Sequence, residues 1–145
     1  MPVKPIPDEY HNVTPSLIVN GAGKLIDFMT QAFGAQERMR FPMPDGSVGH
    51  AELTIGDSVV MLSDATQEFP AAQSFIHLYA ENVDDVYRKA LAAGATSLRE
   101  PRDEFYGDRS AVVADQFGNR WSIATHIEDV SEDEMQRRMA AMGQG

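Results

Sequence analysis

Two titratable side chains stand two residues apart in the stretch "SVGHAELTIGDSVVML" (47–62), His50 and Glu52, inside a segment that alternates apolar and polar positions. On a β-strand both leave the same face, so three kinds of chemistry are open to them: a share of a metal site, an acid/base pair in which the carboxylate orients the imidazole, or a polar lining for a bound molecule. His77, on a second strand-like run, "SFIHLY" (74–79), is the candidate third member, either as a further base or as the partner that would make a non-standard divalent metal site of His50, Glu52 and His77.

Other chemistries are excluded or weakened by what the chain lacks. It has no cysteine, which removes thiolate nucleophiles, disulfides and Cys-type zinc or iron–sulfur sites. No serine stands in a G-x-S-x-G elbow, and "GAG" (21–23) lacks the hydroxyl that completes a phosphate loop. With 22 acidic against 12 basic residues and a net charge of −10, the chain is a poor partner for nucleic acid or an anionic membrane. A neutral or cationic small molecule suits it better. The opening "MPVKPIPDEYHNV" has no apolar run of signal or membrane-span length, and its three prolines predict an extended arm, so the cytoplasm is the expected compartment.

The elements that must position these residues come twice. Module one spans 13–64 and module two 74–126, joined by a linker at 65–73, and each reads as strand, helix, three strands. Leu25, Ile26, Met29, Ala32 and Phe33 mark one helical face, matched by Val83, Val86, Tyr87, Ala90 and Leu91. Both helices stop at a glycine, Gly34 or Gly94. Gly56-Asp57 predicts a tight hairpin, "YGDR" (106–109) reads first as a turn with Tyr106 and Arg109 as secondary ligand candidates, and Asp115 in "DQFGN" is expected to bind loop backbone. Residues 1–128 form one domain on this reading. In 129–145, Ser131 and Glu134 make a capping box for a short helix with Met135, Met139 and Met142 on one side, packed on its own domain or on a partner subunit.

The period of two assigns the faces. Ala51, Leu53 and Ile55, with Trp121 and Ile123, meet the helices; the opposite face carries His50, Glu52 and Thr54, then Val59, Met61 and Ser63, then Phe75, His77 and Tyr79, then Arg120, Ser122, Ala124 and His126. His11, in the arm, either covers that face or is solvated.

The tandem βαβββ order resembles the vicinal oxygen chelate superfamily, which includes glyoxalase I, extradiol dioxygenases and bleomycin-binding proteins. The wording "YHNVTPSLIV", "LIDFMTQAFGA", "PDGSVGHAELTIGDSVVML", "YGDRSAVVADQFGNRWSIATH" and "IEDVSEDEMQRRM" is similar to its PhnB-like branch over about residues 10–140. The resemblance implies an α+β fold: an eight-stranded incomplete barrel or cup, helices outside, a short C-terminal helix added, and a homodimer that completes each cup. The positions at which metal-dependent members hold their ion fall on Thr14, Met61, Phe75 and Ser122, none of which suits a hard divalent cation. Moving two residues along the same face offers Ser16, Val59 or Ser63, His77, and Arg120 or Ala124, of which only His77 is a ligand type. Ser16 and Met29 also stand where related sequences often carry aromatics. No cofactor is therefore expected. The leading expectation is a cup that binds a small organic, cationic or amphipathic molecule through Ser16, Met61, Phe75, Tyr79, Tyr106, Arg120 and Ser122, without the usual metal. A glyoxalase- or isomerase-type enzyme using His50, Glu52 and His77 is the alternative, and an interaction protein with a cup filled by its own side chains is a third.

Overall fold

A computed structural model describes residues 2–143. In chain order the elements are β1 (Ser16–Val19), α1 (Ala22–Phe33), β2 (Gln36–Pro42), β3 (Val48–Ile55), β4 (Ser58–Asp64), β5 (Phe75–Tyr79), α2 (Val83–Ala92), β6 (Thr96–Asp103), β7 (Asp108–Ala114), β8 (Arg120–His126) and α3 (Glu132–Gly143). The eight strands divide into two four-stranded sheets of identical plan, β1-β4-β3-β2 and β5-β8-β7-β6, in each of which the first strand runs parallel to the last and the other pairs are antiparallel. The α+β tandem-module fold is the one expected. The first strand of module one starts at Ser16 rather than Thr14, and β6 extends through Asp103, which shortens the expected β6–β7 loop to a turn around Gly107.

Both helices start and stop for local reasons. Gly34 takes the left-handed conformation at φ 68°, where its N–H donates to Thr30 O at 3.1 Å, while the Ala35 N–H reaches Met29 O. α2 begins at Asn82, whose side chain accepts from the Asp85 N–H. α1 has no such cap of its own. Asp64, at the end of β4, supplies one instead: Oδ1 accepts from the N–H groups of Gly21 (2.7 Å) and Ala22 (2.9 Å), and Oδ2 from Val48 (2.7 Å). One carboxylate thus ties the first helix to two strands of its sheet. Burial pushes its pKa up, but the three backbone donors outweigh this and hold it below the ordinary aspartate value.

The core lies between the sheets. Ala22, Leu25, Ile26, Phe28, Met29 and Ala32 of α1 are all buried, more than one helical face, because α1 meets both its own sheet and α2. Leu17, Val19, Leu53 and Leu62 of the first sheet and Val113, Trp121 and Ile123 of the second belong to one continuous cluster. Phe33 lies 4.7 Å from Trp121, ring centre to ring centre, and so joins the modules. Trp121 is fully buried as its strand position predicts, and its indole N–H donates to Asp115 Oδ2 at 2.9 Å. Asp115 also accepts from the backbone of Phe117 and Asn119 and from the Asn119 amide, so it holds the turn that delivers Trp121 to the core. The C-terminal helix has its expected cap, with the Glu134 N–H on Ser131 Oγ. It docks through Arg138, which donates to Phe105 O and pairs with Glu128, while Met139 and Met142 stay exposed.

Asp115→Ala should cost about 2–4 kcal/mol, because four donors lose a buried acceptor. Urea unfolding monitored by Trp121 fluorescence measures this, with the exposed Asp57→Ala change staying within about 0.5 kcal/mol. The Asp64 contribution has the opposite pH sign from a histidine's: it is complete above the ordinary aspartate pKa and lost as pH falls through the depressed folded value. Asp64→Asn should therefore lower stability at neutral pH and flatten the acid limb of a stability–pH curve.

Candidate functional site

Since the apolar faces turn toward the shared helices, the two mixed faces turn away from them. On module one, cross-strand register groups Met39 with Glu52, Phe41 with His50, and Ser16 and Glu52 with Met61. Glu52 is only 7% exposed. Its two oxygens are both engaged: the His50 Nε2–H donates to Oε2 at 2.9 Å, and the Tyr10 hydroxyl donates to Oε1. Tyr10 comes from the N-terminal arm. Arg38 stacks over its ring at 5.4 Å and pairs with Glu9 at 3.1 Å, which pins the arm to β2. Between arm and sheet is a crevice of about 470 Å³ bordered by Ile6, Pro7, Tyr10, His11, Glu52 and Met61. The arm does cover this face, and the residue that anchors it is Tyr10 rather than His11. Nothing in strand or helix periodicity singles Tyr10 out; its only signal is an aromatic residue after three prolines and just ahead of a strand.

On module two, Phe75, His77 and Tyr79 project from β5 in exposed positions, beside Ser122 and Ala124 on the paired strand. His77 Nδ1 lies 2.9 Å from Ser122 Oγ, and its ring meets Tyr79 edge-on at 4.8 Å. The Tyr79 hydroxyl donates to Asp108 Oδ2 at 2.9 Å. His126 donates from Nδ1 to Asp108 Oδ1 (2.8 Å) and from Nε2 to Asp129 Oδ1 (2.7 Å). Asp129, then Asp108, hold the His126 imidazolium and raise its pKa above the usual histidine value against a smaller opposing effect of burial. The hydrogen bond to Asp108, with burial and the charges around it, raises the pKa of Tyr79. Asp108 and Asp129 were not among the residues expected to do chemistry. Asp108 pairs with His126 across β7 and β8, a contact that strand parity alone implies once the register is known.

The sequence candidates are thus divided between two sites. His50 and Glu52 meet, but His77 lies on the other sheet, on Ser122. Among the described residues no three histidine or acidic side chains converge as a metal site. Thr14 precedes β1, Met61 sits opposite Ser16, Phe75 opposite Arg120, and His77 opposite Ser122. Arg120 is exposed beside Phe75. Arg109 turns to the helix side, where Asp84 and Asp103 bind it, and Tyr106 packs edge-on against Phe105 in the turn.

Two sheets with the β1-β4-β3-β2 plan, backed by one helix each and carrying their polar groups on the faces away from the helices, define a class. Residues 11–123 match the Glyoxalase/Bleomycin resistance protein/Dioxygenase superfamily, and the chain belongs to it. It is 38% identical over 144 residues to an uncharacterized protein of Mycobacterium bovis, with 92% of this chain and 95% of the other covered. An uncharacterized protein of Mycobacterium tuberculosis matches at the same identity, with 85% of its length covered. Among solved structures the fold is similar to TioX from Micromonospora sp. ML1 (TM-score 0.71, 22% identity, 81% of this chain and 99% of that one). The PhnB protein from Bacillus cereus is similar as well (TM-score 0.63, 20% identity, 79% and 99%). The donor chemistry at Thr14, Met61, Phe75 and Ser122, hydroxyl, thioether, phenyl and hydroxyl, does not fit the divalent ion of the metal-dependent members.

In a proton NMR titration His126 should have a midpoint above the ordinary histidine value. Asp129→Asn should lower it, since the largest of the interactions that raise it is removed.

Proposed function

We propose that the protein is a PhnB-like binding protein of the glyoxalase/bleomycin-resistance type that holds a small organic cation on the mixed face of module one, without the usual metal. The observation that carries this reading is Glu52: a carboxylate, 7% exposed, directed into a crevice whose other walls are Tyr10, Met61, Ile6 and Pro7. A buried carboxylate with aromatic and thioether neighbours attracts a desolvated ammonium group more strongly than an exposed acid does. Tyr10 and His50 hold the carboxylate in place, so a ligand meets a prepared charge rather than a mobile one. Met61 and the arm prolines supply the apolar contact.

The outward faces also favour a homodimer. Phe75 is 64% exposed, Phe41 60% and Tyr79 60%, and a second copy that set module one of one chain against module two of the other would cover all three. In such a pair Phe75, Tyr79, Arg120 and Ser122 would face the arm crevice and complete the cup. A second reading rests on the 2.9 Å His50–Glu52 contact, the geometry of an oriented general base for an enolisable substrate. Turnover that falls by about 100-fold in His50→Ala would support catalysis.

Titration calorimetry with benzyltrimethylammonium is the test of the binding reading. Binding should be measurable for the native protein and weaken by about tenfold or more in Glu52→Gln, which keeps the shape and removes the charge. Equal affinity in the two proteins, or a stoichiometric divalent ion bound at this face, would contradict it.

A further inference from the structure

We propose that the crevice between the two modules, on the helix side of both sheets, is a second binding site, for a neutral amphiphile with an apolar body and a hydroxyl head. The crevice measures about 650 Å³, larger than the arm crevice, and falls in the range of about 300–1,000 Å³ typical of small-molecule sites. Its walls come from both modules: Phe33 and Ile55 from the first, Ile76, Leu78, Val86 and Trp121 from the second. These are helix-side positions of β3, β5 and β8 together with the helices themselves, so the walls are the edge of the shared core left uncovered.

Its counterpart at the other end of the module junction shows why it stays open. There the linker lies against β1, where the Ala72 N–H donates to Ile18 O at 3.1 Å, and the remaining space is about 310 Å³, bordered by Ile18, Ala72, Gln73 and Phe117. The segment in the equivalent place beside β5 is His11–Pro15. Among the described residues no backbone hydrogen bond joins it to β5, and its one such contact here is the Met61 N–H on Pro15 O. The arm is held at Tyr10 by Glu52 instead, which draws it across the opposite face of the first sheet.

The rim decides the head group. Asp57 and Glu81 border the crevice with His11, His77 and Tyr79, and among the described residues no lysine or arginine does. A carboxylate ligand would give up its hydration to face two like charges, whereas a hydroxyl can donate to either. Fatty alcohols therefore fit and fatty acids do not.

Trp121 is the only tryptophan and lies fully buried behind the wall, where its emission is sensitive to occupancy of the crevice. At pH 8, 1-octanol should change that emission saturably, and octanoate should bind about tenfold more weakly or not at all. Ile76→Phe and Val86→Phe, which fill the space from a strand and from a helix, should each weaken octanol by about tenfold while the circular dichroism stays native. Saturating benzyltrimethylammonium should leave octanol binding unchanged, which separates this site from the arm crevice. A non-saturable response to octanol, undiminished binding in a folded filling variant, equal binding of octanoate, or displacement by benzyltrimethylammonium would each overturn the proposal.

Discussion

Everything else in the molecule depends on one packing constraint: the two modules bury their helices against each other. α1 and α2 are in contact along the junction, Phe33 rests on Trp121, and a single apolar cluster runs from Leu17 to Ile123. A sheet that backs such a core has one apolar face committed to it, and the pleat then sends every second side chain the other way. The mixed faces of the two sheets are accordingly on opposite sides of the helices.

That constraint explains how the polar groups sort. His50, Glu52 and Tyr10 form one hydrogen-bonded group on module one, and Tyr79, Asp108, His126 and Asp129 form another on module two. Each has a buried carboxylate at its centre with a tyrosine and a histidine donating to it. Buried acids are costly unless both oxygens are satisfied, and here both pairs of oxygens are. Module one adds the arm, which encloses its acid; module two leaves Tyr79 and His126 open to solvent. The modules therefore share a plan and differ in what covers it.

Much of this was legible in the sequence, because strand parity and helical spacing are enforced by burial. Ala51, Leu53, Trp121 and Ile123 fall on the helix side and His50, Glu52 and His77 on the other, as the alternation requires, and Gly34 ends its helix where the apolar spacing stops. What periodicity cannot carry is distance between elements. His77 has the same parity as Glu52, yet the module junction puts it on a different sheet. Tyr10 sits in an arm without periodicity, and its role comes from a contact 42 residues along the chain. Asp64 looks like the end of a strand but caps a helix that begins 42 residues earlier. Asp108 looks like a turn former but opens β7, and its side chain serves Tyr79 and His126. Tyr106 and Arg109, adjacent in sequence to that acid, take structural partners instead.

The central claim, that the arm and Glu52 form the ligand site of module one, is tested most directly by mapping benzyltrimethylammonium onto the native protein with ¹H–¹⁵N and methyl NMR. Saturating shifts should be concentrated at Tyr10, Glu52 and Met61 and be unaffected by moderate salt. Shifts confined to module two, or weak shifts spread over the acidic surface and abolished by salt, would contradict it.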